Sequence, residues 1–442
     1  MHAALRPLYA AAAQLARLGA ALAPQESTGK LARTLAARRG IRQRYIQWGA
    51  QHRDPARALL WMHAPSVGEG LQARPVLQHL RAAHPEWQLA YTFFSPSAEA
   101  FARSLDVDGR DYLPFDDARD AAVALDAWRP NALVFSKLDV WPVLVREAAR
   151  RRIPLGMISA TLAPDSTRRG AGSRALLGDA YAALDLVGAI DAEDAERLVS
   201  IGVRADRIRV TGDTRYDQVW ERAQRADRAS ALLAPLASER PTLVAGSTWP
   251  ADEEQLLPAF MALRRAVPEA RMIIAPHEPT AAHLDPIERW ARDGQVPLAR
   301  LGTPQASSAD VVLVDRVGVL GDLYALADAA FVGGGFHAAG LHSVLEPAAF
   351  GAPVVFGPRF TGSRDARLLV SRGGSVSAPD AAAIEATLVA WLAHHDQGRA
   401  AGSAARALVT EGLGAAARSA RLVEDLMARR VTSVANAGFA AS

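Results

Sequence analysis

One acidic residue, Glu69, lies where a carboxylate could act as a base. It follows the apolar run ALLWMH at 58–63, within the segment Ser66-Val67-Gly68-Glu69. At the carboxyl edge of a buried strand, a carboxylate can remove a proton from an acceptor hydroxyl, and Gly68 leaves room for that acceptor to approach. Ser66 and Glu69 also have the spacing of a capping box at a helix start, which would make both residues structural. The spacing alone is compatible with either role.

Two further polar segments follow later apolar runs. Lys137 and Asp139 lie in SKLDVWP at 136–142 and are candidates for the wall of a binding cleft; the alternative is a loop ion pair, with Trp141 anchoring the next helix. Arg215 ends the segment TGDTR at 211–215, where it could reach a phosphate. Its alternative role is that of an exposed linker arginine.

The stretch from Phe331 to Pro358 has the pattern of an anion site. It predicts a strand ending in three glycines (333–335), a loop holding His337, then a helix carrying His342, Ser343 and Glu346. Glycines after a strand let the backbone approach a ligand closely, and free N–H groups at a helix start attract an anion. An ordinary tight turn between strand and helix is the alternative.

Other candidate ligand groups follow the neighbouring strands of the same half. Ser247 and Thr248 come after the run at 242–246 and offer hydroxyls to an anion, and His277 follows the run at 272–275. Three histidines (277, 337 and 342) are thus expected at one sheet edge. A metal site remains open as an interpretation, although the chain has no histidine–carboxylate spacing of the HExxH kind.

The elements that must position these residues alternate between strand and helix. The alternation begins near residue 58 and restarts near 242, which predicts an α/β chain with two Rossmann-like doubly wound domains facing a central cleft, preceded by an amphipathic helix. The predicted segments are an amphipathic and basic N-terminal segment (1–45), a first Rossmann-like domain (46–217), a linker (218–241), a second Rossmann-like domain (242–400) and a C-terminal helix (401–442) expected to pack back on the N-terminal domain.

Length and composition narrow the class of protein. The chain has 442 residues, of which 50% are hydrophobic and 22% charged, a globular composition long enough for two domains. Its formal charge of +3 is too small to argue for nucleic acid, and the absence of cysteine excludes thiol catalysis and disulfides. The helix expected over 8–23 and the basic stretch at 30–44, including Arg33, Arg38, Arg39 and Arg42, fit either a membrane surface or packing on the first domain.

Taken together, these motifs resemble the 3-deoxy-D-manno-octulosonic acid (Kdo) transferases of lipopolysaccharide assembly. The resemblance rests on 66–69, 211–217, 245–248, 276–278 and 333–348, in that order. It implies a GT-B fold, CMP-Kdo as the donor, a lipid A precursor as the acceptor, no bound metal or other cofactor, and a place on the cytoplasmic face of the inner membrane, peripheral or anchored at the N-terminus.

The resemblance also implies roles for individual residues. Glu69 is expected to be the general base of an inverting transfer, with Ser66, Gly68, Lys137 and Asp139 on the acceptor side. The remaining candidates are expected on the donor side: Arg215, Ser247, Thr248, His277, Gly334, Gly335, His342, Ser343 and Glu346.

Two other functions stay open at this stage. Sugar-nucleotide 2-epimerases share the GT-B fold and use carboxylates and histidine in the corresponding cleft. A catalytically altered binding homologue is the other, because Lys137 and Ser343 stand where the family often has a carboxylate and an asparagine.

Overall fold

The computed structural model describes residues 1–22 and 29–439, which fold into two compact units. The first unit consists of residues 1–218 and the chain from Gly414 onward, and the second consists of residues 219–413. The second unit is therefore an insertion into the first.

The first unit is built on one parallel sheet in the order β3-β2-β1-β4-β5-β6-β7. Its strands are β1 (Leu59–His63), β2 (Gln88–Phe93), β3 (Gly109–Tyr112), β4 (Ala132–Ser136), β5 (Leu155–Ala160), β6 (Leu186–Ala189) and β7 (Ile208–Val210). Its helices are α1 (Arg6–Leu22), α2 (Lys30–Ala36), α3 (Ile41–His52), α4 (Val67–Ala83), α5 (Glu99–Arg103), α6 (Ala118–Trp128), α7 (Pro142–Arg150), α8 (Ala171–Ala182), α9 (Ala192–Val199), the start of α10 (Thr214–Arg225), and α18 (Ala415–Phe439).

The second unit repeats the design with a parallel sheet in the order β10-β11-β9-β8-β12-β13-β14. Its strands are β8 (Thr242–Thr248), β9 (Arg271–Pro276), β10 (Leu298–Arg300), β11 (Val311–Leu313), β12 (Ala329–Val332), β13 (Val354–Phe356) and β14 (Ser375–Ser377). Its helices are the end of α10, α11 (Pro250–Ala266), α12 (Ala281–Asp293), α13 (Leu320–Leu323), α14 (Leu345–Phe350), α15 (Arg364–Ser371), α16 (Ala381–Leu392) and α17 (His395–Glu411).

The central strands are apolar because helices cover both faces of each sheet. Strands β1, β4, β9 and β12 are buried at every position, as parallel strands covered on both sides require. In the first sheet the strand order reverses between β1 and β4, and in the second it reverses between β8 and β12. Such reversals leave crevices at the carboxyl ends of the strands where ligands bind. The predicted α/β class with two Rossmann-like sheets is confirmed.

Helix α18 returns to the first sheet and completes its core. Leu422, Val423 and Leu426 are buried in the same hydrophobic cluster as β1, β4 and β5. The start of α18 is held by Asp217, whose carboxylate accepts hydrogen bonds from the backbone N–H of Gly414 (2.8 Å) and of Ala416 (3.0 Å). This Asp217 clasp joins the chain just before it enters the second unit to the chain just after it leaves.

The N-terminal helix α1 is attached to the first unit through polar contacts. The hydroxyl of Tyr9 donates to Asp116 (2.7 Å), and Arg17 forms ion pairs with Asp117 and Asp120. The opposite face of α1 carries exposed leucines. One side of the helix therefore packs on the first unit, and the other side is apolar and open to its surroundings. In the described part of the chain, no helix has the length and apolar character needed to span a bilayer.

The basic stretch after α1 is mostly occupied by internal contacts, in agreement with the interpretation that it packs on the first domain. Arg38 is buried, and its guanidinium donates to the carbonyls of Leu113 and Phe94. Arg42 pairs with Asp120. These arginines tie the N-terminal segment to the first domain; Arg33, by contrast, is exposed.

Candidate active site

The predicted site residues of the first unit, apart from Arg215 after the edge strand β7, lie beside the point where the strand order reverses. Helix α4 follows β1, and the segment carrying Lys137 and Asp139 follows β4, which is the neighbour of β1 in the sheet. Lys137 has φ of +63°, a left-handed conformation that is costly for a side chain with a Cβ. The sequence predicted that both segments follow strands, and the fold places those two strands side by side in the sheet.

Glu69 lies in the first turn of α4. Its carboxylate accepts a hydrogen bond from the hydroxyl of Ser66, and Nζ of Lys137 lies 3.6 Å from its Oε1. Ser66 is the N-cap of α4, but its side chain makes no hydrogen bond to the helix backbone, so a capping box does not form. The side chain of Glu69 is 21% exposed, so it is held on two sides and still reaches solvent.

Asp139 belongs to a second polar cluster behind Glu69. Its carboxylate is 3.9 Å from Nε2 of His63 and 3.7 Å from the guanidinium of Arg168. The buried His63 accepts a hydrogen bond on Nε2 from Trp141 (3.3 Å), which places its ring proton on Nδ1, next to the carbonyl of Thr92 (3.1 Å). Sequence reasoning missed His63 because the residue is the last of an apolar strand.

Arg215 is bound within its own segment. The guanidinium of Arg215 makes two hydrogen bonds to Oδ2 of the buried Asp213, from Nε (2.9 Å) and from a terminal nitrogen (2.6 Å). The backbone N–H of Arg215 also donates to Asp213 (2.9 Å). A phosphate would have to compete with this ion pair for the guanidinium.

In the second unit, the three glycines of the predicted anion loop are required by close packing of backbone on backbone. A Cβ at Gly333 would overlap the carbonyl of Ser247, and a Cβ at Gly335 would overlap the backbone of Gly357. Gly334 has φ of +91°, and a Cβ there would overlap the carbonyl of Gly340. The loop is therefore packed against the end of β8 and the segment that follows β13.

The N–H groups of this loop already bind an anion, the buried carboxylate of Asp252. It accepts hydrogen bonds from the backbone N–H of Gly334 (2.7 Å), of Phe336 (3.0 Å) and of Trp249 (2.9 Å). Asp252 is the third residue of α11, so one side chain caps that helix and fixes the glycine loop. Asp252 is not among the site residues predicted from the sequence. The spacing from Trp249 to Asp252 is that of a helix cap, but nothing in it indicates the contact with residue 334.

The three predicted histidines do meet at one edge, where they form a stack around Trp249. Its ring is stacked between His337 (centroids 4.3 Å apart) and His277 (4.5 Å), and His277 stacks in turn on His342 (4.5 Å). The indole N–H of Trp249 donates to Nε2 of His342 (3.1 Å). Burial, followed by the neighbouring His277, lowers the pKa of His342, and the bond from Trp249 places its single proton on Nδ1.

The remaining donor-side candidates differ in what they can offer a ligand. Thr248 is buried, and its hydroxyl donates to Glu253 (2.8 Å), whereas Ser247 is half-buried with φ of +56°. Ser343 is exposed. Glu346 is half-buried, and burial raises the pKa of its carboxyl group.

Helix α14 starts later than the sequence indicated. It runs from Leu345 to Phe350, so His342 and Ser343 lie in the preceding loop rather than on the helix. Among residues 1–22 and 29–439, no group of three or more potential ligand side chains could hold a metal ion. The histidines meet through their ring faces, which points to stacking and hydrogen bonding as the means by which this edge is organised.

A comparison with protein families matches residues 35–218 to a model described as 3-deoxy-D-manno-octulosonic-acid transferase (kdotransferase). The chain is 25% identical over 400 residues to the 3-deoxy-D-manno-octulosonic acid transferase of Haemophilus influenzae, covering 89% of this chain and 93% of the relative. It is 29% identical over 395 residues to the corresponding transferase of Bordetella pertussis, covering 86% and 90%.

Among solved structures, the chain resembles the UDP-GlcNAc 2-epimerase of Neisseria meningitidis. The TM-score is 0.59 at 14% sequence identity, over 84% of this chain and 100% of that one. At this level of identity the likeness concerns the fold alone. The matches to the transferases, in contrast, are matches of sequence and extend across both units.

Proposed function

The chain belongs to the Kdo transferase family of glycosyltransferases, and we propose that it moves Kdo from CMP-Kdo to a lipid A precursor. The observation that carries the proposal is the sequence similarity to Kdo transferases over most of the chain, which includes both units. The geometry of Glu69 supports it, because a partly exposed carboxylate at the reversal of a parallel sheet can meet a hydroxyl-bearing acceptor.

In the proposed mechanism the configuration at the anomeric carbon is inverted. Glu69 takes the proton of the acceptor hydroxyl, the hydroxyl oxygen bonds to the anomeric carbon of Kdo, and the bond to the phosphate oxygen breaks, so that CMP leaves with the electron pair. Ser66 and Lys137 hold the carboxylate of Glu69 in place for this step. No step is assigned to a metal ion or another cofactor.

The test is a transfer assay with the purified full-length chain, CMP-Kdo and a lipid A precursor. We expect CMP release that depends on the acceptor, a product carrying Kdo with inverted configuration by NMR, and turnover that is unchanged by EDTA. Sugar released or isomerised without acceptor would favour an isomerase or hydrolase instead. Donor binding without CMP release would favour a binding homologue.

We further propose that α1 lies on the cytoplasmic face of the inner membrane, where its acceptor would be found. Leu8, Leu15 and Leu18 are 59% to 70% exposed, and their spacing places them on one face of the helix. Leu31 at the start of α2 is also exposed (74%), and Arg33 next to it can meet lipid phosphates. The polar contacts of Tyr9 and Arg17 leave this leucine face outward.

Replacing Leu15 and Leu18 together by Gln is expected to weaken membrane binding about tenfold or more, because two leucine side chains lose their transfer into the lipid interface. The measurement is cosedimentation with vesicles of phosphatidylethanolamine and phosphatidylglycerol. Val317→Gln, at a residue that is 76% exposed in the second unit, is the matched control and should bind as the unaltered chain does. Equal binding of the double variant would contradict the proposed orientation.

A further inference from the structure

The donor assumed in the proposed function carries two negative groups, the phosphate of CMP and the carboxylate of Kdo. A site for such a ligand needs positive charge or free N–H groups close to the sheet edge. The following inference therefore rests on the proposed function and concerns which side chain of the second unit supplies that charge.

The groups that the sequence suggested for this purpose are already occupied. The N–H groups of Gly334 and Phe336 donate to Asp252, and the guanidinium of Arg215 is bound to Asp213. His342 is a poor source of positive charge, since burial, followed by the neighbouring His277, lowers its pKa. An arginine elsewhere at this edge would supply the positive charge that these groups lack.

Arg359 lies in the loop after β13, next to the glycine loop. Its backbone N–H donates to the carbonyl of Gly335 (2.9 Å), and the backbones of Gly335 and Gly357 touch so closely that neither residue could carry a Cβ. The ring of Phe360 packs on Phe356 (centroids 5.3 Å apart) and holds the loop on its strand. The backbone of Arg359 is thus fixed beside the glycine loop.

The side chain of Arg359 is exposed, and within residues 1–22 and 29–439 no carboxylate forms an ion pair with it. Two other arginines that follow strands of this sheet are less well placed. Arg364 has contacts of its own, and Arg316 follows β11, which is separated from β12 and its glycine loop by β9 and β8. We propose that Arg359 is the residue that binds an oxyanion of the donor sugar nucleotide.

The proposal is tested by kinetics with CMP-Kdo and by equilibrium binding of CMP and of cytidine. Arg359→Gln is expected to raise the KM for CMP-Kdo about tenfold to hundredfold, the usual cost of losing a charged hydrogen bond, with little change in kcat. Arg359→Lys should recover part of the loss, because lysine keeps the charge but not the paired donors of the guanidinium. Arg289→Gln, which removes another exposed arginine of the second unit, should leave the KM unchanged.

The binding arms separate the two oxyanions. If CMP binds more weakly to Arg359→Gln and cytidine does not, Arg359 contacts the phosphate; if only the KM for CMP-Kdo rises, it contacts the carboxylate of Kdo. If Arg359→Gln has the KM and the CMP affinity of the unaltered chain, the inference fails while the proposed function stands. If the unaltered chain neither transfers Kdo nor binds CMP, the proposed function fails, and this inference fails with it.

Discussion

Replacing Glu69 by Gln is expected to lower kcat for Kdo transfer by about 10²- to 10⁴-fold, the usual contribution of a general base. Glutamine has nearly the same shape and can still accept the hydrogen bond from Ser66, but it cannot take a proton from the acceptor. The affinity for the donor should not change, because Glu69 has no part in donor binding under the proposed mechanism. The measurement is acceptor-dependent CMP release at saturating CMP-Kdo.

A matched control separates loss of the base from loss of a negative charge. Glu196 is an exposed residue of α9 in the same unit, and Glu196→Gln should retain full turnover. Lys137→Met leaves the carboxylate of Glu69 in place and removes only its ammonium neighbour, so it should be much less damaging than Glu69→Gln. Full acceptor-dependent turnover in Glu69→Gln would show that another group is the base.

Replacing Asp252 by Ala is expected to destabilise the second unit by about 3 to 5 kcal/mol, because it leaves three backbone N–H groups without their acceptor. A loss of this size corresponds to a fall in Tm of about 10 °C in a domain of this length. Asp252→Asn should also be destabilising, since one of the two atoms facing these N–H groups becomes a donor. Thermal unfolding of the full chain measures the effect.

Hydrogen exchange makes this second prediction specific to the glycine loop. The amides of Gly334 and Phe336 should lose protection in Asp252→Ala, whereas the core strands of the first unit should keep theirs. Asp293→Asn, at an exposed residue at the end of α12, is the control and should unfold as the unaltered chain does. Unchanged protection at Gly334 would mean that the loop does not depend on Asp252.

The sequence is informative about the fold because the central strands are buried on both sides. Strands that are covered on both faces of a parallel sheet consist largely of apolar residues. Runs such as those at 132–135 and 272–275 therefore indicate the strands directly. The short edge strand β10 and the following elements are harder to recognise. Leu298–Arg300 has one exposed and one half-buried position among three, so it carries no comparable apolar run.

The ends of helices were predicted less well, for reasons visible in the packing. Helix α4 begins at Val67 although glycines at 68 and 70 disfavour a helix, and Gly70 is required because a Cβ there would overlap Phe101 and Tyr91. Conversely, His342 was expected on a helix but belongs to the loop stacked on Trp249. Local propensity describes the backbone of a short segment and not the neighbours that decide where a helix starts.

The candidate site shows the same division between local and distant information. The position of Glu69 after a buried strand could be predicted from the sequence, because the carboxyl end of a strand is a local feature. The role of Asp252 was not, since its partners at 334 and 336 are 82 and 84 residues away in the chain. A glycine loop after a strand therefore predicts that an anion is bound there. It does not predict whether the anion belongs to a ligand or to a side chain of the protein itself.

The return of α18 to the first unit, where Asp217 holds its start, affects the order in which the two units can fold during translation. Strands β1 to β7 leave the ribosome first, but Leu422, Val423 and Leu426 of α18, which complete their core, are synthesised last. The apolar surface that α18 covers must stay open until the whole insertion has been translated. The second unit is contiguous and has all its parts once Leu413 has emerged. Synthesis of the first unit therefore begins before that of the second unit, but its core is completed after the second unit has been made.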